Sequence, residues 1–300
     1  MTTPKWLELI ETISGMGVRA VGLSGGEPLL REDFWKIASH ARTRGLLVGL
    51  VTNGLLIGER DIELIKRYGV DVQISLDGSK PKYHNLIRNC DSCFEKVLEQ
   101  LVKLKENEIP FTVAAVATAE TYHDLPALLR LAESLGAKSF RVQPFFPSGR
   151  GMAHRERLDL TPETTRYVSR FLLEAAKKSP IEVGGFYFQF ILEENPSTIT
   201  QPCEDGSCSA GTGFAGITHD GYVYPCSHIW AISEDNVLDK PLTEIWANSR
   251  LFNFFRSLKR VDTSPICQAC GYYSKCKGGC KAMNILDGDL SEKDYHCWLR

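Results

Sequence analysis

Long apolar runs are missing from this 300-residue sequence, in which no stretch approaches the ~20 consecutive apolar residues of a membrane-spanning helix. The opening MTTPKWLELI has neither the basic start nor the apolar run of a secretory signal. An excess of charge is absent as well, since 35 Lys and Arg stand against 37 Asp and Glu for a formal net charge of -2. That balance leaves no electrostatic footprint for nucleic acid or for an anionic membrane. Low-complexity tracts and short solenoid repeats are also lacking. Together these absences predict a soluble, cytoplasmic protein with no nucleic-acid partner and no membrane partner. Cysteine is nearly absent from the first two hundred residues, where only Cys90 and Cys93 occur.

The remaining eight of the ten cysteines fall between Cys203 and Cys297. A reducing cytosol disfavours disulfides in a chain of this length, so metal or cluster ligation leads. The core pattern is Cys267-x2-Cys270-x5-Cys276-x3-Cys280 with Cys297 further on, preceded by Cys208-x12-Gly221-x4-Cys226. Thiolates are soft ligands for zinc or iron-sulfur clusters, and a CxxC turn lets two sulfurs reach one centre. Structural zinc ribbons are the alternative on spacing alone. Cys90 and Cys93 form one more CxxC, far from the others in sequence, and read as free thiols. His219 and His228 flank Cys226 and read as loop residues rather than ligands.

With 43% hydrophobic residues the chain can bury a sizeable core. Five apolar runs, Ala20–Ser24, Leu46–Val51, Val70–Leu76, Phe111–Ala117 and Ser139–Gln143, read as fully buried strands. Helical spacing recurs between them, as in Leu125, Leu128, Leu129, Ala132 and Leu135. Strands alternating with helices imply parallel β/α units. Thr3-Pro4 and Thr161-Pro162 read as N-cap plus first-turn pairs. A helix thus opens the sequence where a β/α barrel would open on a strand. From about Ser179 the pattern changes to an aromatic run around Phe188 and then to the cysteines, which places a boundary near 185: residues 1–185 form a β/α domain and 186–300 a Cys-rich domain. The aromatic run reads as core.

The cysteine pattern resembles the SPASM domain that is appended to radical S-adenosylmethionine enzymes, which modify peptides, proteins or tetrapyrrole-type cofactors. The resemblance implies an α/β fold, a partial (β/α)6 TIM-like barrel with its first strand missing, followed by a small SPASM iron-sulfur domain. It also implies two auxiliary 4Fe-4S clusters, one held by Cys203, Cys208, Cys226 and Cys280 and the other by Cys267, Cys270, Cys276 and Cys297. Leu23-Ser24-Gly25-Gly26-Glu27-Pro28 resembles the GGEP motif that binds the methionyl amino group of S-adenosyl-L-methionine. Glycines allow close backbone approach at the C-terminal rim of a barrel, and a carboxylate or a backbone carbonyl can receive an ammonium.

Val51-Thr52-Asn53-Gly54 and Ile74-Ser75-Leu76-Asp77-Gly78 resemble the family's next strand ends. Ser75 and Asp77 stand two apart, so alternation points both toward one face, where they would meet ribose or substrate. The small residues Ala114, Ala115 and Ala117 would leave room for an adenine. Arg141, Gln143 and the Pro147–Gly151 segment follow the family pattern at the last strand. Arg141 or Arg150 would then pair with a carboxylate of the cofactor or substrate, against a default of surface salt bridging.

The family's CxxxCxxC triplet, which binds the cluster that cleaves S-adenosylmethionine, does not occur in these 300 residues. A truncated or late start is the expected reason, with a third, catalytic cluster expected in the intact enzyme. The implied activity is that of an iron-sulfur oxidoreductase or maturase that generates a 5'-deoxyadenosyl radical. Its substrate would be a ribosomally made peptide, slightly ahead of a tetrapyrrole (heme-type) precursor, and its electron donor a ferredoxin or flavodoxin. Two rival classes are a non-catalytic iron-sulfur electron-transfer or substrate-presenting partner and a structural zinc-ribbon module.

Overall fold

The computed structural model describes residues 1–185, 208–289 and 291–299, apart from the side chains of Arg260 and Lys275. In chain order the first elements are α1 (Thr3–Gly15), β1 (Ala20–Leu23), α2 (Phe34–Thr43), β2 (Leu47–Thr52), α3 (Glu59–Tyr68) and β3 (Asp71–Ser75). They continue with α4 (Pro81–Arg88), α5 (Cys93–Glu106), β4 (Phe111–Ala117), α6 (Leu125–Ser134) and β5 (Ser139–Pro144). Next come α7 (Arg155–Leu158), α8 (Pro162–Lys178) and β6 (Glu182–Gly185). Beyond residue 208 lie β7 (Gly216–Ile217), β8 (Val223–Tyr224), α9 (Leu242–Asn248), α10 (Arg250–Ser257), α11 (Pro265–Ala269), α12 (Tyr273–Cys276) and α13 (Lys281–Leu286).

Two compact units emerge. One is Met1–Gln143 with Ala175–Gly185; the other takes Pro144–Glu174 and the described residues from 208 onward. This grouping differs from a single cut at 185, because Pro144–Glu174 goes with the cysteine-rich part.

In the first unit six strands stand in the order β1-β2-β3-β4-β5-β6. The pairs β1–β2, β2–β3, β3–β4 and β5–β6 are parallel. The β4 run is reproduced residue for residue, and the other predicted strands shift by one residue or so at their ends. The sixth strand, Glu-Val-Gly-Gly, was not anticipated. Its short, glycine-containing sequence carries no strand signal of its own, and pairing to β5 is what makes it a strand.

The two faces of this sheet differ in chemistry. Val48 and Leu50, Val72 and Ile74, Phe111, Val113, Ala115 and Ala117, and Phe140 and Val142 are all buried. On the β1–β2 side they join Ile10, Phe34, Ile37, Ala38 and Ala41 of the flanking helices in one core cluster. The alternate residues Gly49, Val51, Gln73, Ser75, Thr112, Ala114, Val116, Arg141 and Gln143 are only half-buried or exposed. Register aligns them, with Gly49 beside Asp71, Val51 beside Gln73, and Ser75 beside Ala114. One face is therefore apolar and helix-covered, while the other is small, polar and open. β1 departs from the expectation of a fully buried strand, because it pairs on one side only and its residues alternate between exposed and half-buried.

Thr161 behaves as predicted at the start of α8, its hydroxyl accepting the Thr164 N–H at 3.3 Å. Thr3 does not: it lies inside α1 and its hydroxyl donates to Asp33.

At the end of β3, His84 is buried and accepts the Asp77 N–H on Nδ1 at 3.1 Å. Burial pushes its pKa down from 6.5 to about 4, with Asp77 opposing the shift too weakly to reverse it. Below the ordinary imidazole pKa the unfolded chain takes a proton that the folded one refuses. The contribution is thus intact above pH 6.5 and is lost as pH falls toward 4, by at most about 3 kcal/mol. Denaturant unfolding between pH 7 and 4 should show that decline in the native sequence and a shallower one in His84→Gln. Identical slopes would contradict a neutral His84.

Candidate functional site

Glu27 organises the rim at the C-terminal ends of β1 and β2. It lies in extended backbone just before a 3-10 turn, Pro28–Leu30, and Oε1 accepts the Leu29 N–H at 3.2 Å. Thr52 Oγ1 donates to the same oxygen at 2.8 Å, and the Asn53 N–H donates to Oε2, also at 2.8 Å. Thr52 Oγ1 in turn accepts from Gly54 N–H at 3.0 Å, and Asn53 Oδ1 from Leu55 N–H at 2.8 Å. Gly25, Gly26, Glu27, Pro28, Thr52 and Asn53 are thus brought to one rim. The carboxylate, already holding three donors, fastens two strand ends. Of the two acceptors considered from sequence, the backbone carbonyls beside the exposed Gly25 and Gly26 remain open to an incoming ammonium.

Ser75 ends β3 on the open face and, among the described residues, its hydroxyl has no hydrogen-bond partner. Asp77 does not share that position. Its side chain is fully buried, Oδ2 takes Arg88 Nε at 2.5 Å and Oδ1 takes Val116 N–H at 2.8 Å. The strand stops at Ser75, so alternation no longer governs Asp77, and the buried carboxylate turns to a cation and a backbone donor instead. Of the three alanines expected to face an adenine, only Ala114 lies on the open face; Ala115 and Ala117 are buried on the other.

Arg141 is half exposed and bridges to Glu182 at 3.0 Å across β5 and β6. This is the surface pairing that an isolated arginine takes by default. Glu182, invisible to sequence reasoning because β6 was missed, is the residue that occupies it. Arg150 is exposed in the second unit, in a shallow hollow with Ser148, Gly149, Gly151 and Trp230.

Cys90 and Cys93 are joined by a disulfide, which corrects the expectation of free thiols. The helix start at Cys93 folds the CxxC back so that the two Cα atoms stand 5.7 Å apart, within disulfide reach.

In the second unit, Cys267, Cys270, Cys276 and Cys297 line one cavity together with Tyr272, Asp294 and the Gly278-Gly279 backbone. Cys280, although only four residues beyond Cys276, does not line it. It packs instead with Cys226 against Ala210, Ile229, Phe255 and Ala282, and its thiol lies within electrostatic reach of Cys226 and Cys208. The described thiols thus fall into a set of four and a set of three. Cys203 and the aromatic run around Phe188 lie outside the described residues.

The turn between the sets requires glycine. Gly279 has φ +81, and a side chain there would meet Asp294 at 2.6 Å. Gly221, the glycine of the spacing pattern, has φ +102, and a Cβ would stand 2.5 Å from Asn236 Oδ1.

Burial pushes the thiols up: Cys226 and Cys276 to about 11, Cys297 to about 12, and Cys280 further still. The residues fit iron-sulfur ligation. Four thiols line one cavity, and backbone N–H groups already point at the sulfurs, those of Gly278 and Gly279 at Cys276 and that of Ala210 at Cys208 at 3.5 Å. Among the described residues, no three metal-ligating side chains converge on a single ion. His228 does not join either set as a charged group, because burial lowers its pKa to about 4 and its ring stacks on Phe146 at 3.6 Å. His219 is exposed.

A parallel α/β sheet with an open polar face, joined to a cysteine-rich unit with two thiol sets, defines an iron-sulfur enzyme of the β/α-barrel type. Residues 1–132 match the Radical SAM superfamily, and residues 208–271 match SPASM, an iron-sulfur cluster-binding domain. The AdoMet-dependent heme synthase of Methanosarcina barkeri is 27% identical over 314 residues, covering 100% of this chain and 88% of the relative. The PqqA peptide cyclase of Gluconobacter oxydans is 30% identical over 310 residues, covering 100% of this chain and 82% of the relative. In fold, the chain is similar to Streptococcus suis SuiB bound to the precursor peptide SuiA, with a TM-score of 0.81 at 17% identity, over 100% of this chain and 70% of that one. The chain belongs to the radical SAM enzymes and carries a SPASM domain, so 4Fe-4S clusters and S-adenosylmethionine are its cofactors.

Proposed function

We propose that the protein is an oxidative maturase of a ribosomally made peptide, with two auxiliary clusters in its C-terminal unit. One observation carries this reading: Cys267, Cys270, Cys276 and Cys297 enclose a cavity, while Cys208, Cys226 and Cys280 gather elsewhere. Two acceptor sites of this kind suit the removal of electrons from a substrate. A catalytic cluster with S-adenosylmethionine would supply a 5'-deoxyadenosyl radical for hydrogen abstraction; the CxxxCxxC triplet that would hold that cluster does not occur in these 300 residues.

This chain's residues would then bind and orient. The backbone at Gly25 and Gly26 receives the methionyl ammonium, held in place because Glu27 pins it to Thr52 and Asn53. Pro28 starts the turn that fixes Glu27. Ser75 offers a hydroxyl to the ribose. Asp77 acts from behind, holding the ends of β3 and β4 in register through Arg88 and Val116. Arg141 would serve a carboxylate by exchanging it for Glu182. Cys203 completes the set of Cys208, Cys226 and Cys280. A ferredoxin or flavodoxin would supply the electron in the cytoplasm. No helix among the described residues is long and apolar enough to cross a membrane.

Two likenesses support a peptide substrate: one relative is a PqqA peptide cyclase, and the fold neighbour is bound to a precursor peptide. The heme synthase relative supports a tetrapyrrole as the second reading. Anaerobic calorimetry decides between them. A precursor peptide of the PqqA or SuiA kind should bind measurably and a propionate-bearing tetrapyrrole should not. The reverse result would move the protein to the heme pathway.

A further inference from the structure

Three ionisable side chains that the reading above leaves unused are buried beside the Lys277-Gly278-Gly279 turn. Asp294 is 2% exposed, His296 0% and Lys281 8%. Asp294 Oδ2 accepts the Cys280 N–H at 2.8 Å, and Oδ1 accepts the N–H of His296, the residue before Cys297, at 3.0 Å. The same residue lines the cavity of Cys267, Cys270, Cys276 and Cys297. A single carboxylate thus holds the backbone of one thiol set and faces the cavity of the other.

Lys281 follows Cys280 directly. Its Nζ donates to Gly278 O at 3.3 Å and lies within electrostatic reach of Cys267, Cys276, Cys280 and Asp294. His296 is held between two carboxylates, Nε2 at 2.8 Å from Asp159 and Nδ1 at 3.4 Å from Asp294. Arg155, which pairs with Asp159 and Asp287, closes the network on the far side. Removing several ions from water is costly. Asp294 and Lys281 satisfy backbone groups of the turn, and the charges they carry there also act on both thiol sets.

We propose that Asp294 and Lys281 are positioning residues that set the reduction potentials of the two auxiliary clusters in opposite directions. Reduction adds one negative charge to a cluster. A neighbouring carboxylate opposes that charge and a neighbouring ammonium favours it, and both act strongly where burial removes water screening. The inference rests on the reading that both thiol sets hold clusters.

The test uses the anaerobically reconstituted 300-residue protein, native and with Asp294→Asn or Lys281→Met. Iron and sulfide are counted first, then the reduced-cluster resonance is followed against potential in a dithionite titration. Asp294→Asn should keep the native iron content and move reduction to more positive potential. Lys281→Met should keep it and move reduction to more negative potential. If only one variant loads, the sign of its shift decides. Unchanged potentials at full iron content, shifts of the same sign, or loss of iron in both variants would overturn the proposal. A native protein that takes up no iron would instead overturn the cluster reading itself, and the inference with it.

Discussion

Cys276→Ala will abolish one of the two reduced-cluster signals and Cys280→Ala the other, each variant keeping about four of the roughly eight irons that two 4Fe-4S clusters contain. The two cysteines stand on consecutive short helices, Cys276 ending α12 and Cys280 preceding α13. Between them Lys277, Gly278 and Gly279 all have positive φ, at 56, 84 and 81°. Three left-handed residues in succession reverse the chain within one step, which is how neighbouring thiols come to face different sets. Cys276 lines the cavity of Cys267, Cys270 and Cys297, while Cys280 packs with Cys226. Because each set draws on distant parts of the chain, filling either should stabilise the whole unit. Electron paramagnetic resonance of the two variants reads the outcome. Loss of the same signal in both would put all four neighbouring cysteines on one metal, as in a zinc ribbon.

A polypeptide of these 300 residues will form no 5'-deoxyadenosine above background under dithionite, even with both auxiliary clusters loaded. Three thiolates must hold the cluster that passes an electron to S-adenosylmethionine, and the CxxxCxxC triplet that supplies them is not in the sequence. The first unit offers Cys90 and Cys93 alone, and these are bonded to each other at the start of α5. Under the proposed assignment the auxiliary sets do not substitute, because each is taken up by its own cluster. Chromatographic detection of 5'-deoxyadenosine after anaerobic incubation checks this. Formation at a rate that scales with protein concentration would show that some other ligand set does the work. The cofactor rim does not depend on that triplet. Glu27, Thr52 and Asn53 hold their places through bonds made entirely within the first unit.

Much of this was legible from residue spacing. Cysteines at Cys267, Cys270, Cys276 and Cys297 stand out because short turns and glycines leave few ways to arrange the sulfurs. The five apolar runs became strands, with buried residues recurring along β2 to β5, whereas none of β1 is buried. What escaped was set by tertiary partners. β6 exists through its pairing with β5, and no residue of Glu182–Gly185 announces it. Asp77 obeyed strand alternation on paper, yet Arg88, eleven residues away on α4, captured its carboxylate once the strand ended. Thr3 was matched to a capping role that Thr2 fills by backbone position, leaving Thr3 to bond Asp33 thirty residues on. Asp294 and Lys281 drew no notice in the sequence because a charged residue between cysteines normally lies at the surface. Only their burial marks them.

The proposed function requires the eight C-terminal cysteines to hold two 4Fe-4S clusters. Mössbauer spectroscopy of iron-reconstituted protein, with iron, sulfide and zinc analysis on the same sample, tests it most directly. About eight irons and eight sulfides per chain, all in 4Fe-4S form and without zinc, is the predicted result. One cluster's worth of iron, or zinc in its place, would contradict it.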